Sequence, residues 1–417
     1  MTQLSDDCFA FGGALLSVDD ALARIDERVA AIVETETIPV QAACGRVLAG
    51  DVVATMNLPP HANSAVDGYA FAHADLMHNQ ETVLPVSGRA AAGHPLGGPK
   101  VRGAAVRIFT GAPMPEGTDT VMMQEDCVVE DRRVRLKPNI KKGANRRHAG
   151  EDVAEGAIAL AAGRRLAPAD LGLAAALGYD KLPVFRQLRA ALISTGDEVR
   201  DPGAPLPPGA IYDANRFILA PLLARLGCTV SDFGVRPDRA AALADTLAAA
   251  AAEHDLIVTS GGVSTGDEDH VKSAIERLGS LHFWRLAIKP GRPVALGQIR
   301  GVPLIGLPGN PVAVFVTFVV LARPLILKLG GAGVSPLRLF PVRAGFEYRK
   351  KPGRREYLRA GLRREADALV AVKYPKDGAG ILSSIVQSDG LVVIDEMTSN
   401  VMAGTIVDFL PFSEVID

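Results

Sequence analysis

"DLIVTSGGVSTGDEDHVKSAIERLG", residues 255–279, passes from a β-prone apolar run through a glycine-rich turn into a helical period. A strand that turns on glycine into a helix is the repeating unit of an α/β sheet, and its neighbours read the same way. Upstream lie a strand "LRAALIST" (188–195), a helix "ANRFILAPLLARLG" (214–227), a strand "CTVSDFGV" (228–235) and a helix "RAAALADTLAAAAAEH" (239–254). Downstream, "VPLIGL" (302–307) reads as a strand and "PVAVFVTFVVLARPLILKLG" (311–330) as a helix. The alternation predicts a three-layer α/β/α domain with a mostly parallel sheet, whose ligands bind beyond the strand C-termini.

Outside this block the rhythm changes. "SVDDALARIDERVAAIVE" (17–34) has a Ser cap, acids in its first turn and apolar residues at helical spacing, which predicts an amphipathic helix. Residues 53–153 hold short β-prone runs such as "ETVLPVSG" and "AAVRIFTG" between Gly and Pro, with no helical period. "APADLGLAAALG" (167–178) returns to helix, so the first helical region is read as split by a β-rich insert. Residues 335–417 show only short β-type runs, which predicts a small β-barrel.

The composition bounds the function. With 417 residues, several cores are needed. Apolar residues make up 48% and charged residues 22%, a balance suited to packed domains. The net charge of −2 argues against a nucleic-acid binder working through a basic face. Cys8, Cys44, Cys127 and Cys228 are widely spaced and read as reduced thiols of a cytoplasmic protein. The N-terminus lacks the pattern of a secretion signal, and "PVAVFVTFVVLA" (311–322) is too short to span a bilayer. None of the eight histidines has metal-ligand spacing, so a zinc hydrolase is excluded; His270 reads as the residue after a helix cap.

Three loops should share one rim: "STGDE" (194–198), the acidic turn after Ser260, and "LPGNP" (307–311). In the last, Asn310 is the expected N-cap and Pro311 the first helical residue. Such a helix start is a common local feature, and it also offers free N–H groups to an anion. Asp197, Glu198, Asp267, Glu268 and Asp269 would repel one another on a shared rim, and a hard cation would relieve that. Mg²⁺ takes one or two carboxylates and accepts phosphate oxygens as further ligands. "WRLAIKPGRP" (284–293) adds Arg285, Lys289 and Arg292 around a Pro-Gly turn, a solvated surface or an oxyanion site. In the insert, "NSAVDGYA" (63–70), "RIFTGAPMPEGTDTV" (107–121) and "NRRHAGEDV" (145–153) each join Gly to a polar group: Asp67, Thr110, and Arg146 or Arg147 with Asp152.

Taken in order along nearly the whole chain, these motifs resemble the molybdopterin molybdenumtransferase family, which includes the C-terminal domain of gephyrin. The resemblance implies four domains in an elongated homodimer. These are a split helical dimerisation domain (1–52 and 154–187), a β-rich insert (53–153), an α/β molybdopterin-binding domain (188–334) and a C-terminal barrel (335–417). It implies that molybdate is inserted into adenylylated molybdopterin with release of AMP, with Mg²⁺ required. The active site is expected between the α/β and barrel domains of one subunit and the insert of the other.

The family's functional acids fall on Asp67, Asp152, Glu198, Asp238 and Asp269, and its threonine on Thr110. Its basic positions fall on Arg285 and Lys289, and its loop prolines on Pro308 and Pro311. Glu198 and Asp269, with Asp267, are the expected metal ligands. Backbone amides of Ser260, Gly261, Gly262 and Ser264, and of Pro311's loop with Gly309 and Asn310, are expected to seat phosphate or oxyanion oxygens. Where members often carry Gly-Ser near the C-terminus this chain has Gly378-Ala379-Gly380, with hydroxyls at Ser383 and Ser384. The adenylyltransferase of the preceding step shares the α/β domain and is both an alternative function and a candidate partner. Its loop reads T-G-G-T-G where this chain has Ser260-Gly261-Gly262-Val263-Ser264. A scaffold of the gephyrin type is the non-enzymatic alternative. No nucleic-acid or membrane partner is expected.

Overall fold

The computed structural model describes residues 15–99, 101–261, 275, 277–333, 336–366 and 368–416. At its centre is a six-stranded sheet in the order Thr229–Arg236, Arg189–Thr195, Leu256–Ser260, Val302–Leu307, Pro293–Ile299, Gly279–Arg285. The first four strands are mutually parallel. Their apolar runs are covered on both faces. Ala190, Leu192, Leu256 and Val258 face one cluster with Leu219, Leu223 and Phe315. Ala191, Ile193, Ile257 and Leu304 face another with Leu243 and Leu247 from the helix Ala240–Glu253.

The sheet is mostly parallel as the alternation predicts, but the last two strands join antiparallel to their neighbours, which makes one edge mixed. The cause is local. Arg300 and Gly301 both have positive φ (50° and 83°), the backbone of the tight hairpin turn that returns Pro293–Ile299 as Val302–Leu307. An Arg at the first of those positions does not advertise such a turn.

The helix after Val302–Leu307 runs Pro311–Leu329, longer than the apolar stretch read from sequence. It is long and apolar enough to cross a bilayer, yet 89% of its apolar window is buried inside the fold. A π-helical segment, Phe318–Ala322, interrupts it just before Pro324, where proline has no N–H to continue the ladder.

The N-terminal helix is Val18–Arg28, capped by Ser17, whose hydroxyl accepts from the Asp20 N–H at 3.0 Å. It stops earlier than predicted because the backbone is extended at Val29. The segments on either side of the insert meet again: Thr35–Pro39 pairs with Lys181–Phe185, and Val52–Val53 with Ile158–Leu160. They share a core of Val40, Leu48, Leu166, Leu182 and Val184, with the helix Pro168–Ala176 against it. Between them the insert forms a second six-stranded sheet, with no α-helix among its described residues.

The C-terminal strands close on themselves. Arg355–Glu365 pairs with Ala368–Lys373, which pairs with Phe340–Ala344, then Ile406–Pro411, then Gly390–Ile394, which returns to Arg355–Glu365. This five-stranded barrel is stitched to the central sheet by Ile288–Lys289, which lies parallel to Arg355–Glu356.

Candidate active site

Three parallel strands, Arg189–Thr195, Leu256–Ser260 and Val302–Leu307, end on one rim. Between that rim and the barrel lies a cavity of about 960 Å³, at the upper end of the range for small-molecule sites. Glu198, Asp238, Ser260, Gly261, Lys289, Arg292 and Pro308 to Pro311 all line it. The sequence analysis thus brought most of its α/β candidates to one place.

Glycine is required where the loops turn. Gly261 has φ +87°, and a Cβ there would sit 2.5 Å from the Thr195 carbonyl oxygen. Its N–H donates to the Leu307 carbonyl at 3.2 Å, binding two of the rim loops together. The Asn215 Nδ2 adds a second tie, donating to Ser260 Oγ at 2.9 Å and to the Gly309 carbonyl at 2.6 Å. Behind it, Arg216 pairs with Asp201, Asp213 and Asp232, fixing the cavity-lining Asp213. Ser194 Oγ and Thr195 Oγ1 are buried with no hydrogen-bond partner among the described residues, and both residues line the cavity.

The third loop differs from expectation in one respect. Pro311 is the first helical residue, but the Asn310 side chain makes no capping bond. The barrel meets the helix start instead: the Val312 N–H donates to the Ala379 carbonyl at 2.9 Å. One amide offered to an anion is therefore taken by the Gly378-Ala379-Gly380 segment.

On the barrel side stand residues that sequence reasoning missed. Glu356 and Arg359 are 2% and 6% exposed on the strand Arg355–Glu365, among the buried Tyr357, Leu358 and Ala360. The Glu356 Oε2 accepts from the Tyr348 hydroxyl at 2.6 Å and from the Lys289 ammonium at 3.2 Å. Burial pushes Lys289 down, but the bonds to Tyr348 and Glu356 outweigh it and hold the ammonium above the ordinary lysine range. The Arg359 Nε donates to Ser384 Oγ at 3.0 Å and its Nη2 to the Gly378 carbonyl at 3.3 Å. Burial draws its guanidinium below the usual arginine range, though not far enough to lose its charge. The signal available was a Glu and an Arg set among the apolar residues of "EYLRAGL" (356–362).

Other candidates lie elsewhere. Arg285 is exposed at the end of its strand and does not line the cavity. Ser383 is exposed, 3.3 Å from the Tyr374 hydroxyl, and it is the buried Ser384 that contacts Arg359. Gly262, Ser264, Asp267, Asp269 and His270 lie outside the described residues.

The insert gathers its own motifs at a second place. The Asp67 Oδ1 accepts from the Thr110 N–H and hydroxyl, both at 2.8 Å, and these bonds hold its carboxyl below the ordinary range. The Gly111 N–H donates to the Ser64 carbonyl, and Arg146–Arg147 pairs with Asn63–Ser64. The Asp152 N–H donates to the Leu58 carbonyl at 3.0 Å. Gly68 is needed beside Asp67, since a Cβ there would meet the Met122 carbonyl oxygen at 1.9 Å. None of Asp67, Thr110 or Asp152 lines the cavity of its own chain.

Among the described residues no three His, Cys, Asp or Glu side chains converge as a metal site. Mg²⁺ needs fewer when phosphate oxygens and water complete its six positions. Glu198 and Asp238, beside the unpartnered Ser194 and Thr195 hydroxyls, form a donor set that suits a metal-bound phosphate.

Comparison with known proteins supplies the family. Residues 16–178 match the MoeA N-terminal region (domain I and II), 191–328 a probable molybdopterin binding domain, and 341–412 the MoeA C-terminal region (domain IV). The molybdopterin molybdenumtransferase of Haemophilus influenzae is 38% identical over 406 residues, covering 96% of this chain and 100% of that protein. That of Nostoc sp. is 36% identical over 373 residues, covering 87% and 85%. The crystal structure of the molybdopterin biosynthesis MoeA protein from Pyrococcus horikoshii superposes with a TM-score of 0.80 at 28% identity, covering 95% of this chain and 100% of that one.

Proposed function

The chain belongs to the molybdopterin molybdenumtransferase family, and on that premise we propose that it inserts molybdate into adenylylated molybdopterin and releases AMP. The observation that carries the reading is a cavity lined both by phosphate-type loops and by three cations, Lys289, Arg292 and the buried Arg359. The loops of Ser194–Glu198, Ser260–Gly261 and Pro308–Pro311 seat the phosphoanhydride. Lys289, Arg292 and Arg359 draw the molybdate dianion to the dithiolene end. Glu198 and Asp238, with Asp267 and Asp269 as further ligands, hold Mg²⁺. When bound, the metal supplies Lewis-acid polarisation of the phosphoanhydride that is cleaved.

The reading includes a second copy of the chain. Asp67, Thr110 and Asp152, gathered in the insert but outside the cavity of their own chain, serve the cavity of a partner subunit, orienting water or the pterin. Residues 1–52 and 154–187 then form the dimerisation region. A cytoplasmic site of action accords with the unpaired Cys44, Cys127 and Cys228. The adenylyltransferase of the preceding step is a candidate donor of the substrate.

The test is AMP release from adenylylated molybdopterin with molybdate and Mg²⁺. Glu198→Gln, which removes a charge but little volume, is expected to lower the rate at fixed Mg²⁺ by ~10-fold or more and to weaken Mg²⁺-dependent nucleotide binding in calorimetry. An unchanged Mg²⁺ dependence in that variant would remove Glu198 from the metal.

A further inference from the structure

We propose that Glu356, assisted by Tyr348, is the positioning residue of the oxyanion end: it aims the Lys289 ammonium and, by neutralising it, limits how tightly the site holds a dianion. The inference rests on the function just given and extends it to residues that function does not require.

The geometry isolates the carboxylate as the unusual group. Lys289 and Glu356 are register partners across the seam between central sheet and barrel. The Glu356 Oε2 takes both the Tyr348 hydroxyl at 2.6 Å and the Lys289 ammonium at 3.2 Å. The ammonium also lies 3.3 Å from the Tyr348 oxygen, so the three polar atoms form a closed triangle. All three residues line the cavity. Tyr348 is itself pinned, because Tyr348–Arg349 pairs with Asn400–Val401.

A buried carboxylate costs several kcal/mol in desolvation, which a partner must offset. The seam does not need that expense. Backbone pairing already joins Ile288–Lys289 to Arg355–Glu356, and the Arg355 N–H donates to the Ala287 carbonyl at 2.8 Å. Nor does a negative charge help a cavity that collects oxyanions. Its effect is to cancel one of the cations facing the ligand, leaving Arg292 and the buried Arg359, neither of which has a carboxylate within ion-pair distance among the described residues. An anion that must move from its binding position to two sulfur atoms benefits from such a limit, because ground-state binding that is too strong raises the barrier to transfer.

The proposal predicts a split that a purely structural role would not give. Glu356→Gln keeps the shape and leaves an oxygen to accept both hydrogen bonds, but removes the charge. The full-length variant is expected to bind molybdate about tenfold tighter in equilibrium dialysis, an effect that fades with added salt. Its kcat for AMP release is expected to fall by roughly the same factor, so that KM and kcat drop together. Glu356→Asp, which retains the charge on a shorter arm, should bind molybdate as the wild type does and recover part of kcat. Tyr348→Phe leaves the charges in place and loosens the aim, so kcat falls while molybdate affinity holds.

If Glu356→Gln binds molybdate no tighter than wild type, or if KM rises as for a loosened seam, the proposal is overturned. If that variant does not fold, an unchanged kcat in Tyr348→Phe overturns it instead. A wild-type chain that binds no molybdate overturns the proposed function itself, a result distinct from either.

Discussion

Arg359→Ala is expected to lower kcat/KM for molybdate by roughly a hundredfold, mostly through KM. The residue is 6% exposed, on the barrel wall of the cavity. Its Nε and Nη2 are committed to Ser384 and to the Gly378 carbonyl, which set the plane of the guanidinium. The Nη1 protons find no acceptor among the described residues, and no carboxylate there lies within ion-pair distance. A cation held in low-dielectric surroundings without a counter-charge is costly unless a ligand supplies one, and a dianion does. Arg359→Lys keeps the charge but not the planar fork, so it should recover only part of the loss. Steady-state kinetics with molybdate as the varied substrate reads both variants. If Arg359→Ala leaves KM for molybdate within twofold of wild type, the oxyanion lies elsewhere in the cavity.

That Arg359 escaped the sequence reading, while the rim loops did not, has a physical basis. Gly196 and Gly261 adopt positive φ, and Pro311 opens a helix, because of constraints acting within a few residues. Such constraints leave local marks in the sequence. The parallel strands were legible for a related reason: with both faces covered, they must be apolar throughout. Burial of Glu356 and Arg359 depends instead on the barrel closing, when Arg355–Glu365 meets Gly390–Ile394. A charged residue in a β run looks solvent-facing until that partner is known.

The same division applies to the insert and to the sheet. Asp67 and Thr110 stand out singly, but their two hydrogen bonds join residues far apart in sequence. The antiparallel edge of the central sheet stayed hidden because Arg300 occupies a turn position that Asn or Asp usually marks. The acids that first suggested a metal divide between described and undescribed residues. Of these Glu198 reaches the cavity, joined there by Asp238, which only the family resemblance had named, whereas Asp267 and Asp269 retain only the support of their motif.

The largest effect on stability is expected at a residue remote from the chemistry. Asp255→Ala should destabilise the fold by ~3 kcal/mol, the lower end for breaking a buried ion pair because both arginine partners keep part of their solvent. Asp255 is 8% exposed and directly precedes the central strand Leu256–Ser260. Its Oδ2 accepts from Arg186 Nη1 and from the Arg189 backbone N–H, both at 2.8 Å, and from Arg189 Nε at 3.2 Å. Its Oδ1 accepts from Arg186 Nη2 and Arg189 Nη2, both at 3.0 Å. One carboxylate thus fastens the end of the re-entrant segment and the start of two central strands.

Burial alone would raise the Asp255 carboxyl, but the hydrogen bonds from Arg186 and Arg189 prevail and hold it far below the ordinary carboxylate range. A group depressed on folding stabilises fully above its unfolded value, near pH 4, and loses that contribution as pH falls toward the folded value. The difference in unfolding free energy between wild type and Asp255→Asn should therefore be greatest and flat near pH 7. It should narrow progressively below about pH 4 in denaturant titrations. A gap that stayed constant into that acid range would mean the carboxylate contributes shape rather than charge. Because Leu256–Ser260 ends at Gly261, slack introduced at its other end is transmitted to the rim, and turnover should fall along with stability.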